Sequence, residues 1–278
     1  MTTPLFTGPI WLVGCGNMAG AMLDGWLGAG LDPAQVTVIR PSGRDVAPGV
    51  RVLTRLPEGE VPALVLLGFK PRTLDSGAPA LSPALDPNTI LVSILAGVEQ
   101  ATLRRRFPAP RTIVKAMPNL PVRLRLGVTN LYSDTPDPDA RAAATRLFTA
   151  LGHAEWFTDE PLFQAAGILS GAGPAFLFRF IDALAAAGES AGLPADQAGR
   201  LALRMVEGAA ALAAASDAAP AELARRVASP GGTTEAGLKV LDEEEALRTL
   251  LRRTVEAGRD RSLQMAAEAR GAGGASGS

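Results

Sequence analysis

Residues 10–20 read IWLVGCGNMAG: four apolar residues, the pattern G-x-G-x-x-A, and the start of a helical run. In such a strand–turn–helix the first glycine, Gly14, permits a tight turn, and Gly16 lets the backbone approach a pyrophosphate. The small Ala19 allows the helix to pack closely on the strand, and the free N–H groups at its start point at the diphosphate. A plain structural turn is the alternative. We predict dinucleotide binding by Gly14, Gly16, Asn17, Met18 and Ala19.

Short apolar runs punctuated by glycine and proline continue through the first half of the chain. They fall at residues 10–14, 36–40, 50–53, 63–69, 89–95, 112–117 and 128–132. Several contain β-branched residues and most lack polar alternation, as in parallel strands that are covered by helices on both faces. Helical patterns lie between them, for example over residues 138–151. This alternation predicts an α/β Rossmann-type domain with a doubly wound, mostly parallel sheet.

The sequence pattern changes near Pro161. Long runs rich in Ala, Leu, Arg and Glu follow, separated by proline or glycine, as expected for consecutive helices. We predict an NAD(P)-binding Rossmann domain over residues 1–160 and an all-α domain over 161–270. Residues 271–278 contain only glycine, alanine and serine and are predicted to form a disordered tail. The Ala/Leu-rich helical domain suggests buried contact with a second subunit.

The composition excludes several classes of function. Of 278 residues, 27 are Lys or Arg and 28 are Asp or Glu, and the net charge of −1 argues against nucleic-acid and membrane-surface partners. One cysteine, Cys15, and one histidine, His153, leave no disulfide and no Cys/His metal site. We expect no secretory signal, and no membrane span because no apolar run of about 18 residues is free of charge. A cytoplasmic protein is the default expectation.

The end of the second predicted strand distinguishes between the two nicotinamide dinucleotides. An NAD site usually carries Asp or Glu there to hold the ribose 2′-hydroxyl. Here the strand ends in Arg40, and Ser42 and Arg44 follow. Two arginines and a hydroxyl would bind a 2′-phosphate through charge-assisted hydrogen bonds. NADPH is therefore favoured, with NADH possible because Asp45 is close; a solvated loop is the alternative.

Four further segments carry a family resemblance. They are GFKP at 68–71, AMPNLP at 116–121, LSGAGPA at 169–175 and VASPGGTT at 227–234. Together with the glycine turn they resemble pyrroline-5-carboxylate reductase over roughly residues 10–265. The resemblance implies reduction of the imine 1-pyrroline-5-carboxylate to L-proline by NAD(P)H, the last step of proline biosynthesis. It also implies that 161–270 is a dimerisation and substrate domain, giving a homodimer or a higher oligomer.

The SPGGTT segment is the predicted substrate site. Its sequence indicates a loop that leads into a helix, and its N–H groups and hydroxyls can bind a small carboxylate. An ordinary Ser/Thr N-cap with proline at the first helical position is the alternative. The resemblance places the substrate carboxylate on this loop and makes Thr234, near the ring nitrogen, the catalytic residue. The predicted substrate-binding residues are Ser229, Gly231, Gly232, Thr233 and Thr234.

The segments that follow apolar strands are predicted to flank the cofactor, because ligands of doubly wound folds bind at the carboxyl ends of the strands. By resemblance, Lys70, Pro71 and Ala96 lie on the cofactor side and Asn119 lies near the nicotinamide. Pro-bounded turns after strands are also routine, and Lys70 could be a solvated strand end. An iminium is already electrophilic, so its reduction needs no strong side-chain acid.

Five positions depart from the usual family pattern: Lys115, Leu120, Gly167, Ala172 and Phe176. Three of these changes remove a hydroxyl, which keeps open a related cyclic imine as substrate or a catalytically weakened NADPH-binding paralogue. A β-hydroxyacid-type dehydrogenase would need a lysine on the first long helix of the second domain, and residues 175–192 contain none. A nucleotide-binding regulator without catalysis is the remaining alternative.

Overall fold

The computed structural model describes residues 4–135 and 137–274, with side chains described up to residue 264. Within these residues, eight strands form one sheet in the order β3-β2-β1-β4-β5-β6-β7-β8. All neighbouring pairs are parallel except β6 with β7, which is antiparallel. The strands are β1 (Ile10–Val13), β2 (Val36–Ile39), β3 (Arg51–Leu53), β4 (Leu64–Leu67), β5 (Ile90–Ser93), β6 (Thr112–Pro118), β7 (Gly127–Tyr132) and β8 (Gly152–Trp156).

Five helices belong with this sheet, and together they confirm the predicted α/β Rossmann-type domain with a mostly parallel sheet. The chain adds β2 and β3 on one side of β1 and then crosses to β4 and the later strands on the other side, so the strand order reverses at β1. Crevices for ligands form at such reversal points, outside the carboxyl ends of the strands. The helices are α1 (Asn17–Gly28), α2 (Leu74–Leu81), α3 (Gln100–Arg106), α4 (Pro138–Thr149) and α5 (Glu160–Gly171).

Apolar side chains cover both faces of the sheet. Successive residues of a strand point to opposite faces, so Ile10 and Leu12 enter one buried cluster while Trp11 enters the other. In the first cluster Trp26 of α1 donates its ring N–H to the carbonyl of Leu147 in α4 at 2.8 Å. Its ring also meets Phe148 edge-on, with centroids 6.0 Å apart. These contacts fix α1, and with it the glycine turn, against the sheet.

The helices after α5 form a second compact unit, Gly173–Asp260, whereas the first unit extends to Ala172 and includes the described residues from Arg261 onward, which belong to the end of the last helix. The chain therefore divides after α5 in space, twelve residues beyond the sequence-based boundary at 160. The last helix continues to Gly274 through the first part of the predicted tail, and residues 275–278 lie outside the described residues. The helices are α6 (Gly173–Ser190), α7 (Ala195–Ala214), α8 (Pro220–Val227), α9 (Thr233–Asp242) and α10 (Ala246–Gly274).

The second unit leaves much of its apolar surface uncovered. None of the residues of α6, α8 or α9 is buried. Large side chains such as Phe178, which is 59% exposed, and Leu203 lie on the surface of the unit. A helix that is apolar but unburied needs another surface to cover it.

One helical stretch, Glu160–Ser190, is long and apolar enough to cross a membrane by length and composition alone. Residues 161–178 within it carry no charged side chain, so the expectation that no such run exists is wrong. The reason is that small and uncharged residues, including glycine, serine and proline, fill the positions between its apolar side chains. The stretch crosses from α5, in which Phe163 and Gly167 are buried, into α6, in which no residue is buried.

A polar network fastens α3 to the end of β7. The amide N–H of the Gln100 side chain donates to Asp134 at 2.8 Å and to the carbonyl of Ile113 at 3.1 Å. Arg104 donates to both carboxylate oxygens of Asp134. Burial raises the pKa of Asp134, but the hydrogen bonds from Arg104 and Gln100 outweigh it and the pKa is lowered. The carboxylate form of Asp134 is thus favoured in the folded protein.

We expect Asp134→Asn to destabilise the protein at neutral pH by about 0.5–1 kcal/mol, since the pair is partly solvated. Because the folded pKa lies below the unfolded value of about 3.9, the stabilisation is present above that pH and is lost as pH falls through the folded pKa. Urea midpoints at pH 7 and pH 3 measure this, with the exposed Asp217→Asn as control. If the difference in urea midpoint between wild type and Asp134→Asn were the same at pH 3 as at pH 7, the stabilisation could not come from the charged pair.

Candidate functional site

A crevice of about 760 Å³ opens at the carboxyl ends of the strands around β1. Of the twelve residues predicted to bind the cofactor, ten line it: Gly14, Gly16, Asn17, Met18, Ala19, Arg40, Ser42, Lys70, Pro71 and Ala96. They come from four separate turns, which follow β1, β2, β4 and β5. The sheet brings these turns together because parallel strands end at one edge.

The glycine turn shows the close packing that its sequence predicts. Gly14 has φ +84°, and a Cβ there would lie 2.7 Å from the backbone nitrogen of Phe69. A Cβ on Gly68 would likewise lie 2.5 Å from the carbonyl oxygen of Gly14. These two backbones, after β1 and β4, touch where side chains would keep them apart. Both glycines therefore serve the fold of the crevice floor.

Gly16 differs from Gly14, because its surroundings are open. A Cβ on Gly16 would meet nothing within 4 Å, and its φ of −84° is accessible to any residue. Gly16 is the N-cap of α1, whose first turn contains no acidic residue and receives no side-chain cap. The first helical bond runs from the N–H of Gly20 to the carbonyl of Gly16 at 2.8 Å. The preceding N–H groups are therefore available to an anion, and the open cradle fits a pyrophosphate.

The loop after β2 holds one of its two arginines at the crevice. The backbone N–H of Arg40 donates to the carbonyl of Leu53 at 2.9 Å, which anchors the start of this loop. Arg40 also borders a second cavity of about 390 Å³ on the other side of the turn, beside Asp24, Asp45 and Arg123. Ser42 accepts from the backbone N–H of Arg44 at 3.4 Å. Arg44 itself is exposed and does not line the crevice.

The opposite wall combines charged and apolar groups. Lys70 is exposed at the end of β4 and precedes a 3-10 turn, Pro71–Thr73. Sequence reasoning missed three apolar lining residues, Phe69, Ile94 and Leu120. Phe69 and Leu120 adjoin predicted residues and Ile94 lies two residues before Ala96, so the signal that could have found them is their position at a strand end rather than their chemistry. Leu120 is 57% exposed and puts an apolar side chain at the crevice.

Cys15 lies within the glycine turn and borders both cavities. Burial raises the pKa of its thiol, the nearby Arg40 charge opposes this, and the net shift is upward. A thiol with a raised pKa is a weak nucleophile at neutral pH. Cys15 therefore serves as a small wall residue.

Asn119 lies away from the crevice lining. It is 6% exposed, its carboxamide oxygen accepts from the N–H of Val128 at 2.9 Å, and its Nδ2 donates to the carbonyl of Ser170 at 3.0 Å. Its neighbour Leu120, not Asn119, is the lining residue. The predicted contact of Asn119 with a nicotinamide thus has no support in the orientation of this side chain.

The SPGGTT segment forms a single loop and helix start within the second unit. Gly232 is the N-cap of α9 and no side chain caps this helix, so the segment is not an ordinary Ser/Thr cap. The N–H of Gly231 donates to Glu235 at 2.9 Å and that of Gly232 to the carbonyl of Ser229 at 2.9 Å. Both of these N–H groups are therefore already occupied.

Free donors remain at the beginning of α9. Its first helical bond runs from the N–H of Ala236 to the carbonyl of Gly232 at 3.2 Å. The N–H groups of Thr233 and Thr234 precede this bond and have no partner within the helix. Both threonines and Ser229 are exposed. Two N–H groups and three hydroxyls in one turn can bind a small carboxylate. Among the described residues, no group of three or more His, Cys, Asp or Glu could hold a metal ion.

Comparison with known proteins gives consistent findings. Residues 160–265 match the family described as pyrroline-5-carboxylate reductase dimerisation. The chain is 36% identical to a pyrroline-5-carboxylate reductase of Pseudomonas aeruginosa over 96% of this chain and 98% of that protein. It resembles the solved pyrroline-5-carboxylate reductase of Coxiella burnetii at a TM-score of 0.86 and 30% identity, over 93% of this chain and 98% of that one. The Plasmodium falciparum pyrroline carboxylate reductase, solved with NADP bound, shares the fold at 0.80 and 23% identity, over 94% and 98% of the two chains.

The two glycines of the turn give a matched pair of variants. Gly16→Ala should fold normally, because its Cβ meets open space, but should weaken dinucleotide binding about tenfold or more by filling the pyrophosphate cradle. Gly14→Ala should instead destabilise the protein by roughly 1–3 kcal/mol, since φ is positive and backbone lies in the way. Fluorescence titration and thermal melting separate the two effects. If Gly16→Ala bound the dinucleotide with unaltered affinity, the pyrophosphate would not bind above Gly16.

Proposed function

Because the chain belongs to the pyrroline-5-carboxylate reductase family, we propose that it reduces 1-pyrroline-5-carboxylate to L-proline with NADPH. The observation that carries the proposal is the single crevice that gathers ten residues from four turns around an open helix N-terminus. An identity of 36% over 96% of the chain supports the same activity. The reaction would be the last step of proline biosynthesis.

The crevice residues would hold the dinucleotide by complementary charge and shape. The N–H groups at the start of α1 would bind the pyrophosphate above Gly16. Arg40 and Ser42 would bind the 2′-phosphate, with Arg44 more remote, and this favours NADPH while leaving NADH possible. Lys70, Pro71 and Ala96 would form the opposite wall. When bound, NADPH supplies the hydride that reduces the C=N bond.

The chain would bind and orient the substrate through the start of α9. The N–H groups and hydroxyls of Thr233 and Thr234, with Ser229, would hold the carboxylate, while Gly231 and Gly232 shape the turn. The hydroxyl of Thr234 would face the ring nitrogen as the catalytic residue. The carbon of the iminium gains the hydride, and the nitrogen keeps its proton as the ring amine forms. No buried acid is required because the iminium is already electrophilic.

A related cyclic imine is the second candidate substrate. Its specific support is Leu120, an exposed apolar side chain at the crevice where the family usually has threonine. A larger or less polar ring would gain from this contact. Ala172 and Phe176 also lack hydroxyls that the family usually carries. Comparison of five- and six-membered cyclic imines as substrates distinguishes the two candidates.

The protein self-associates through its helical part, in keeping with the dimerisation family that residues 160–265 match. We propose that a homodimer or higher oligomer covers the unburied faces of α6, α8 and α9. The domains we propose are the Rossmann domain over 1–160 and the dimerisation and substrate domain over 161–270. We further propose that the enzyme is cytoplasmic and has no nucleic-acid or membrane partner, consistent with its net charge of −1.

The direct test mixes purified protein with 1-pyrroline-5-carboxylate and NADPH or NADH and follows the nicotinamide absorbance. We expect oxidation of NADPH and formation of proline in equal amounts. Failure to oxidise either dinucleotide, in protein that binds NADPH, would refute the proposed activity.

Arg40→Ala should raise the KM for NADPH about tenfold or more, because a charge-assisted hydrogen bond to phosphate is lost. The KM for NADH should change far less, since NADH has no 2′-phosphate. Arg44→Ala is the matched control and should have a smaller effect, as Arg44 does not line the crevice. Equal losses with both dinucleotides would show that Arg40 does not bind the 2′-phosphate.

Thr234→Ala should lower kcat about tenfold or more by removing the hydroxyl at the imine, whereas Thr234→Ser, which keeps it, should retain most activity. The Kd for NADPH should stay within about twofold in both variants, because Thr234 belongs to the substrate site. Steady-state kinetics and dinucleotide titration provide the measurements. If Thr234→Ala kept the wild-type kcat, the Thr234 hydroxyl would have no role in the reaction.

A further inference from the structure

The carbonyl of Ser170 is deprived of its helical partner by the sequence itself. It lies in the last turn of α5, where a carbonyl keeps a helical bond only if the helix continues and the residue four positions later has an N–H. That residue is Pro174, which has no N–H. The Nδ2 of Asn119 donates to this carbonyl at 3.0 Å instead. A side chain from the end of β6 thus replaces the donor that proline removes.

Asn119 is itself held so that its amide can point only at this carbonyl. Its backbone N–H donates to the carbonyl of Val128 at 3.2 Å, and its Oδ1 accepts from the N–H of the same residue at 2.9 Å. The first bond fixes the backbone of Asn119 beside β7, and the second orients its carboxamide. Loss of the donor would leave the part-buried Ser170 carbonyl without a hydrogen bond. An unsatisfied polar group of this kind costs more free energy than the loss of a solvent-exposed hydrogen bond.

A second asparagine fixes the same turn of α5. The Nδ2 of Asn130, which is 2% exposed, donates to the hydroxyl of Ser170 at 2.8 Å. That hydroxyl donates in turn to the carbonyl of Ala166 at 3.0 Å. The end of α5 is therefore tied to both β6 and β7.

The start and middle of α5 are held by residues on the same face of β6. Lys115 is buried, forms an ion pair with Glu160, and lies 5.1 Å from the ring centroid of Phe163. A Cβ on Gly167 would overlap the side chain of Met117, so this glycine lets the helix lie close to the strand. Every second residue of a strand points to the same face. Residues 115 and 117 of β6, and residue 119 directly after it, therefore contact α5 from its first turn to its last.

Asn119 also sets the wall of the crevice. It is the N-cap of the 3-10 turn Leu120–Leu124, and its carbonyl accepts from the N–H of Val122 at 3.2 Å. Leu120, the next residue, lines the crevice. One residue therefore joins the two: the backbone carbonyl of Asn119 holds the turn that carries Leu120, and its side chain holds the last turn of α5, from which the chain continues into the unit that carries Thr234.

We propose that Asn119 is a positioning residue for the reduction: its side chain holds the end of α5 against the end of β6 by supplying the hydrogen bond that Pro174 cannot. The proposal rests on the proposed function, because its catalytic consequence is measured in imine reduction. It assigns Asn119 no contact with substrate or cofactor.

The test compares Asn119→Asp with Asn88→Asp. Asn119→Asp keeps the oxygen that accepts from Val128 but places a second oxygen against the Ser170 carbonyl. Asn88 is exposed at the far end of the sheet, so its variant controls for the added charge. We expect kcat of Asn119→Asp to fall about tenfold or more with the Kd for NADPH within about twofold, and Asn88→Asp to match wild type in both. Amide hydrogen exchange over residues 160–172 should accelerate in Asn119→Asp only.

The outcomes separate the two proposals. Unchanged hydrogen exchange over residues 160–172 refutes the positioning role, even in a preparation that turns over no imine. Exchange that accelerates while kcat stays at the wild-type value shows a merely structural bond and also refutes it. A loss of NADPH affinity in step with kcat assigns Asn119 to the cofactor instead. If Asn119→Asp does not fold, Asn119→Ala, which leaves the carbonyl unpaired without adding charge, is held to the same measurements. An inactive wild type refutes the imine substrate alone.

Discussion

The close approach of two backbones, after β1 and after β4, is the constraint on which the rest of the first unit depends. A Cβ on Gly68 would lie 2.5 Å from the carbonyl oxygen of Gly14, and a Cβ on Gly14 would lie 2.7 Å from the backbone nitrogen of Phe69. A side chain at either position would therefore force the two backbones apart. Because these strands are neighbours at the point where the sheet order reverses, their turns diverge above the contact and leave a crevice. The position of α1, held by Trp26 against α4, then fixes where its N–H groups point.

Polar contacts at the other end of the sheet serve a different purpose. Lys115 is buried on β6, and burial lowers the pKa of its ammonium, while the hydrogen bond and charge of Glu160 oppose that shift. A buried ion pair of this kind contributes little net stability compared with apolar packing, but removal of one partner leaves a costly unpaired charge. Its effect is therefore to specify one placement of α5 on the sheet. The asparagines at the other end of α5 act in the same way.

The sequence predicted the features that depend on local patterns. It did not predict the features that depend on contacts between residues far apart in the chain. The glycine turn, the strand ends and the loop before α9 are local patterns, and ten of the twelve predicted residues line one crevice. Asn119 follows a strand like the others, yet its partner Ser170 lies 51 residues away, and no local pattern gives the direction of its side chain. The one available signal was Pro174, which stands four residues after Ser170 and removes a donor. The compact unit extends to Ala172, beyond the predicted domain boundary at 160, because α5 is bound to the sheet by these distant pairs.

The small number of reactive side chains restricts how a proton could reach the imine nitrogen. Of the three lysines, Lys115 is buried and paired with Glu160, and Lys239 lies 3.6 Å from Glu235. Lys70 stands exposed at the crevice, and His153 is paired with Glu155 on β8, at the far edge of the sheet. A mechanism that starts from an iminium avoids the need for any of these groups as an acid, because the proton arrives with the substrate. The chain then needs only to hold a carboxylate and keep the ring in place, which N–H groups and threonine hydroxyls can do.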